Sequence, residues 1–304
     1  MPGQKLQNLS VDKNSLTSNN NNDDEIVNKY VKENSKTTAR KRWKILAKVL
    51  FKSTKEDIAD VSVRRFTSFG VFAPTCKIGC WLDYTTLDKM FSIRIQHLNG
   101  NFSAKDLMGF NNTGNICVWP SEETLSVYIT SNLHLFSNKS VLELGGGMSC
   151  MAGLMVAKYG EKSRVRVTDG NAKSIENVQL IINQNMLDNK VKCSVLKWQD
   201  LKKNSLKSVI PSSQFDIVLV ADCLFFDEVR EDLIHAIWFH LGASGVAYVM
   251  APQRGSTLDQ FISASQDYGF SCIKNEKYDK VIWERHLKLK SSKDIYKNYR
   301  MKEK

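Results

Sequence analysis

The chain has 304 residues, 42% of them hydrophobic, which is enough apolar material for one sizeable α/β core with an N-terminal addition. No run of 18 apolar residues occurs and the N-terminus is polar and asparagine-rich, so neither a membrane-spanning helix nor a secretory leader is expected. The formal charge of +11 sits in the flanks: 14 Lys+Arg against 8 acids over 1–66, 11 against 5 over 274–304, and 18 against 19 between them.

Basic flanks around a near-neutral core suit an acidic macromolecular partner, nucleic acid or protein, or merely keep loose ends solvated. Seven cysteines without framework spacing imply reduced thiols in a cytoplasmic, and also nuclear, setting. Cys76 and Cys80 lack a second pair at matching spacing, so no metal site is expected.

Residues 1–36, with the run Asn19–Asn22, read as a disordered tail. Thr37–Phe51 reads as a basic amphipathic helix capped by Thr37 or Thr38. Its Arg40-Lys41-Arg42 suits nucleic acid, a nuclear signal or a solvated face. From Val61 to Leu98 the hydrophobic period shortens to two, which predicts strands at 65–69, 79–84 and 91–95. With the helix they form an N-terminal element over 37–115, a lid or a substrate platform, ahead of a main domain over 116–304.

Val118-Trp119-Pro120-Ser121-Glu122-Glu123 opens a helix at Ser121 that runs to about Phe136, because a proline and a Ser-x-x-Glu-style cap make a firm start. Trp119 at its entrance either closes over a ligand or packs. Strands then alternate with helices: strands 140–144, 164–169, 191–198, 215–222, 245–251 and 270–277, and helices 148–159, 171–187, 227–241 and 256–268. This alternation predicts a doubly wound, mostly parallel sheet whose ligand sits at the carboxyl ends of the strands.

The candidate site residues are strand-end residues. Val141–Leu144 runs into Gly145-Gly146-Gly147, where a backbone without Cβ atoms permits a tight turn and close approach of a ligand; an isolated triglycine is also compatible with a plain turn. Asp169 ends the next strand, 24 residues after Gly145, where an acid can accept from both hydroxyls of a ribose. Cys150 stands where a dinucleotide fingerprint needs its last glycine, and no Gly-Lys-Ser/Thr follows. Glu143, inside the glycine strand, suits a cationic ligand such as S-adenosyl-L-methionine better than a pyrophosphate. Trp198 offers a flat apolar face to an adenine, or closes the edge of the core. Asp222 leaves the fourth strand where the transferred methyl group would point.

Val118-Trp119-Pro120-Ser121-Glu122-Glu123, Glu143–Met148, Thr168-Asp169-Gly170-Asn171, Leu196-Lys197-Trp198, Ala221–Phe225 and Ala251-Pro252-Gln253-Arg254-Gly255 occur together and in order. As a set, over about 60–300, they resemble the seven-β-strand (class I, Rossmann-like) protein-lysine methyltransferases, most closely those acting on calmodulin. The resemblance implies cofactor contacts at Trp119, Gly145, Gly146, Gly147, Asp169, Trp198 and Ala221, with Glu143, Gly170 and Asn171 in the same motifs. Asp222 and Phe225 would frame the acceptor lysine. The implied partner is an acidic, calmodulin-like EF-hand protein, and the implied enzyme is a monomer without membrane contact. The family's sheet ends with an apolar strand inserted antiparallel, whereas Asp294–Tyr299 runs into Arg300-Met301-Lys302-Glu303-Lys304. The expectation is a sheet lacking its final strand, with an unpaired edge that bears on activity. Two other readings stay open: methylation of nucleic acid, although Asp222–Phe225 lacks the prolines of a base-amine turn, and a binding module that no longer turns over.

Overall fold

The computed structural model describes residues 69–98, 110–204, 214–253 and 255–291. They belong to one unit, Val49–Lys304; the other, Met1–Lys48, lies outside them. The predicted tail, the helix over Thr37–Phe51, residues 65–68 of the first predicted strand, Arg254 and the C-terminal stretch from 292 also lie outside the described residues.

Three antiparallel strands come first, β1 (Phe72–Ile78), β2 (Trp81–Thr86) and β3 (Ser92–Gln96), paired in that order. Of the first predicted strand only Phe69 is described, outside any strand, and β1 starts after a turn at Gly70 (φ +81°). Beyond Ala73 every residue of β1 is exposed, so its sequence carries no burial pattern to read. β3 faces inward through Ile93 and Ile95, both buried.

The main sheet is parallel, in the order β6-β5-β4-β7-β8, built from β4 (Ser140–Leu144), β5 (Arg164–Asp169), β6 (Val191–Val195), β7 (Phe215–Ala221) and β8 (Leu241–Met250). Val141, Val165, Val167, Ile217 and Leu219 join one core layer, and Leu142, Leu144, Val218 and Val220 the other. Burial on both faces is why β4 and β7 read as nearly continuous apolar runs, and each such side chain contributes about 1.5–3 kcal/mol. The first layer is covered by α1 (Pro120–Ser131), α2 (Leu133–Phe136), α3 (Met151–Tyr159) and α4 (Ala172–Gln184). The second is covered by α5 (Trp198–Asn204), α6 (Arg230–His240) and α7 (Thr257–Asp267). A last helix, α8 (Lys280–Ser291), sends Ile282 into the first layer.

Several boundaries differ from the sequence reading. The helix predicted over 121–136 breaks at Asn132, whose side chain donates to the Tyr128 carbonyl (2.9 Å) and ends α1. Trp198 does not end a strand; β6 stops at Val195 and Trp198 opens α5. The predicted strand over 270–277 is irregular, with Ile273 92% exposed. Among the described residues β8 is therefore the last strand and forms the sheet edge.

Neighbouring carboxylates of α1 tie the parts together. Glu123 accepts from the backbone N–H groups of Phe69 (2.7 Å), Val71 (2.7 Å) and Phe72 (2.8 Å), anchoring the entry to β1. The Tyr159 hydroxyl and the Lys158 ammonium hold Ser92, and Asn185 brackets Arg94, which seats β3 on α3 and the end of α4. No helix among the described residues is long and apolar enough to cross a membrane.

Candidate active site

The chain leaves β4 through Gly145 (φ +67°), Gly146 and Gly147 (φ +62°). A Cβ on Gly145 would stand 2.9 Å from Cζ2 of Trp198, and one on Gly147 would stand 2.7 Å from the Gly114 carbonyl oxygen. Glycine is required at both positions by conformation and by space. The turn continues through Cys150, itself left-handed at φ +43°, so α3 begins three residues later than the apolar pattern suggests. Cys150 supplies no side-chain cap. Two carboxylates from elsewhere receive the first N–H groups of α3 instead: Glu122 accepts from Met151 N (2.7 Å) and Glu143 from Gly153 N (2.8 Å). Both therefore sit at the positive end of the helix dipole. Ser149 also donates to Glu122, at 2.5 Å.

Asp169, at the end of β5, accepts from Gly147 N (2.9 Å) and Asn171 N (2.8 Å), locking the turn to the next strand. A short 3-10 helix, Phe110–Asn115, closes the other side: Gly114 O accepts from Met148 N (3.0 Å), and Asn112 accepts from the Asn171 amide (2.9 Å). At the end of β7, Asp222 takes a left-handed backbone (φ +53°), with its N–H held by Met250 O at 2.9 Å. Such a conformation is uncommon for a residue other than glycine, and it turns the chain out of the sheet at the cleft.

These elements enclose a cleft of about 630 Å³, open to solvent, at the carboxyl ends of β4, β5 and β7. Of the residues singled out in the sequence, Trp119, Gly145, Gly146, Gly147, Asp169, Gly170, Trp198, Ala221, Asp222 and Phe225 line it. Glu143 and Asn171 do not. Glu143 lies beneath the turn against α3, and Asn171 caps α4 by accepting from Lys173 N and Ser174 N. Gly114, Glu122, Leu196, Gln199 and Cys223 complete the wall and were not singled out. Glu122, Leu196 and Cys223 stood in quoted motifs, but nothing in the sequence marks Gly114 or Gln199 as neighbours of the turn.

Residues 104–267 match the model of a family described as lysine methyltransferase. The chain belongs to that family. It is 33% identical over 204 residues to a calmodulin-lysine N-methyltransferase of Arabidopsis thaliana, a match covering 66% of this chain and 65% of that one. It is 30% identical over 127 residues to the protein N-lysine methyltransferase METTL21A of Xenopus tropicalis, covering 41% of this chain and 54% of the relative. The chain thus spans just under two thirds of the first relative and about half of the second. The cofactor of a methyltransferase domain of this class is S-adenosyl-L-methionine.

The electrostatics of the methyltransferase cleft fit that cofactor. Among the described residues its wall holds three carboxylates, Glu122, Asp169 and Asp222, and no lysine, arginine or histidine. A pyrophosphate would meet repulsion there, whereas a sulfonium and an α-ammonium would meet attraction. Burial pushes Glu122 up to about 7 and Asp169 up to about 6, and it raises Glu143 well above the usual carboxylate range, helped by the charge on Glu122. A bound cation favours the ionised forms and lowers these values again. No group of three metal-ligating side chains gathers among the described residues.

Proposed function

We propose that the chain transfers a methyl group from S-adenosyl-L-methionine to the ε-amine of a lysine on an acidic protein, calmodulin or a close EF-hand relative. The observation that carries this reading is a cation-seeking cleft, bounded by the glycine turn and Asp169 on one side and by Asp222 and Phe225 on the other. The name of the Arabidopsis relative and the basic flanks of the chain support the substrate class.

When bound, the cofactor supplies an electrophilic methyl group on a positively charged sulfur. In this reading Asp169 accepts from ribose hydroxyls, and the Trp198 ring offers an apolar face beside the turn. Asp222, 5% exposed in the cleft wall, accepts a hydrogen bond from the incoming amine in this reading and orients it, and Phe225 offers a ring face to an alkylammonium. A free lysine has a pKa near 10.4, so the nucleophile must shed a proton; removal from bulk water and a neighbouring positive charge both favour the neutral amine.

Incubation of the chain with isotopically labelled cofactor and unmethylated calmodulin, with RNA in a parallel reaction, tests the reading. Label on one calmodulin lysine, read by mass spectrometry, is the expected result. Label on RNA, or on neither, contradicts it.

A further inference from the structure

The capping bonds that Glu122 makes call for an oxygen acceptor at that position, and the α3 dipole favours a charge there without requiring one. Its Oε1 receives the Ser149 hydroxyl and Met151 N. A glutamine would accept the same two bonds through its amide oxygen. The nine-residue helix α3 points its positive N-terminus at Glu122, and a helix end of this kind attracts phosphate in dinucleotide-binding folds. Here a carboxylate of the chain's own occupies that place, 5% exposed and in the cleft wall. It reverses the local field, and among the described residues no cationic side chain in the wall balances it.

We infer that Glu122 is the counter-charge by which the cleft ranks a sulfonium donor above its neutral thioether product. The inference rests on the donor assignment of the proposed function. Donor and product share their adenosine, α-ammonium and carboxylate, and differ in the methyl group and the charge on sulfur. Removing a charge from the wall therefore changes the ratio of their affinities, while a loss of packing or capping changes both alike. A carboxylate that favours the donor over the product also aids product release after each turnover.

The test is calorimetric titration of the full chain with S-adenosylmethionine and with S-adenosylhomocysteine, for the wild type and for Glu122→Gln, with thermal melts confirming that the variant is folded. The expected result is a roughly tenfold fall in the preference for the donor in the variant. Equal weakening of both ligands, or no change, overturns the inference and leaves the donor assignment standing. A wild-type chain that binds neither ligand overturns the donor assignment and the inference with it. Should Glu122→Gln fail to fold, Ser149→Ala keeps the carboxylate and removes one of its donors. The carboxyl then titrates at higher pH, and the pH at which donor preference develops moves up. Asp169, Glu143, Tyr84, Cys117, Cys150 and Cys223 are the titratable groups that interact with Glu122, and they are unchanged in both variants, so an unmoved profile also overturns the inference.

Discussion

Replacing Gly147 by alanine tests how the cleft is built. The new Cβ would lie 2.7 Å from the Gly114 oxygen and 3.1 Å from Gly114 Cα, where ordinary contact begins at 3.4 Å. The residue must also keep φ near +62°, which costs about 1–2 kcal/mol for a side chain with a Cβ. Relief of the clash requires the 110–115 helix to move, at the expense of the bond from Met148 N to Gly114 O, worth about 1 kcal/mol. The total is about 2–3 kcal/mol, or roughly 5–10 °C in Tm. Because Gly147 N also donates to Asp169, the cofactor Kd should rise alongside. Gly114→Ala makes the same contact from the other side, 2.7 Å from Gly147 Cα, without the conformational penalty. Scanning calorimetry of both variants and the double variant should show strong non-additivity, since one displacement relieves both clashes. Additivity within about 0.5 kcal/mol, or a Gly147→Ala chain with unaltered Tm and Kd, would refute the packing argument.

Asp222→Ala should keep the cofactor Kd within a few-fold yet lose methyl transfer; equal loss of both in titration and turnover assays contradicts the division of roles. Glu123→Ala leaves the N–H groups of Phe69, Val71 and Phe72 without their acceptor, and should lower stability by about 3–5 kcal/mol, read as a fall in the urea midpoint. Asp83→Ala, whose partner Arg94 is screened by solvent, should move that midpoint far less. Glu122 titrates at about 7 in the folded chain against an ordinary 4.5, so it favours folding below pH 4.5 and loses that contribution as pH rises through 7. The difference is about 3 kcal/mol, so urea midpoints of the cofactor-free wild type should fall relative to Glu122→Gln between pH 5 and pH 8. Parallel pH profiles for the two chains would rule this out.

The parallel sheet was legible because strands such as Phe215–Ala221 are buried on both faces and carry an apolar run broken only by Asp216. The glycine turn, Asp169 and Asp222 were legible for a different reason: chemistry at such a sheet gathers at strand ends, and strand ends can be counted. Long-range partnership was not legible. Gly114 lies in the polar stretch Phe110–Asn115, and only the folded chain brings it against Gly147. Glu122 and Glu123 look like an ordinary acidic first helical turn, yet one reaches α3 and the other the entry to β1. Phe270–Lys277 shows the opposite failure. Its alternation mimics a strand, but no strand forms there: Phe270 packs against the second core layer and Ile273 lies in solvent.

In the proposed reading the glycine turn and Asp169 together hold an adenosyl sulfonium donor. Equilibrium titration of the full chain with S-adenosylmethionine, set beside Asp169→Asn, tests it most directly. The account predicts saturable binding of one molecule per chain, weakened at least about tenfold by the loss of a carboxylate that can accept from both ribose hydroxyls. A wild-type chain that fails to bind, or an Asp169→Asn chain that binds equally well, would contradict it.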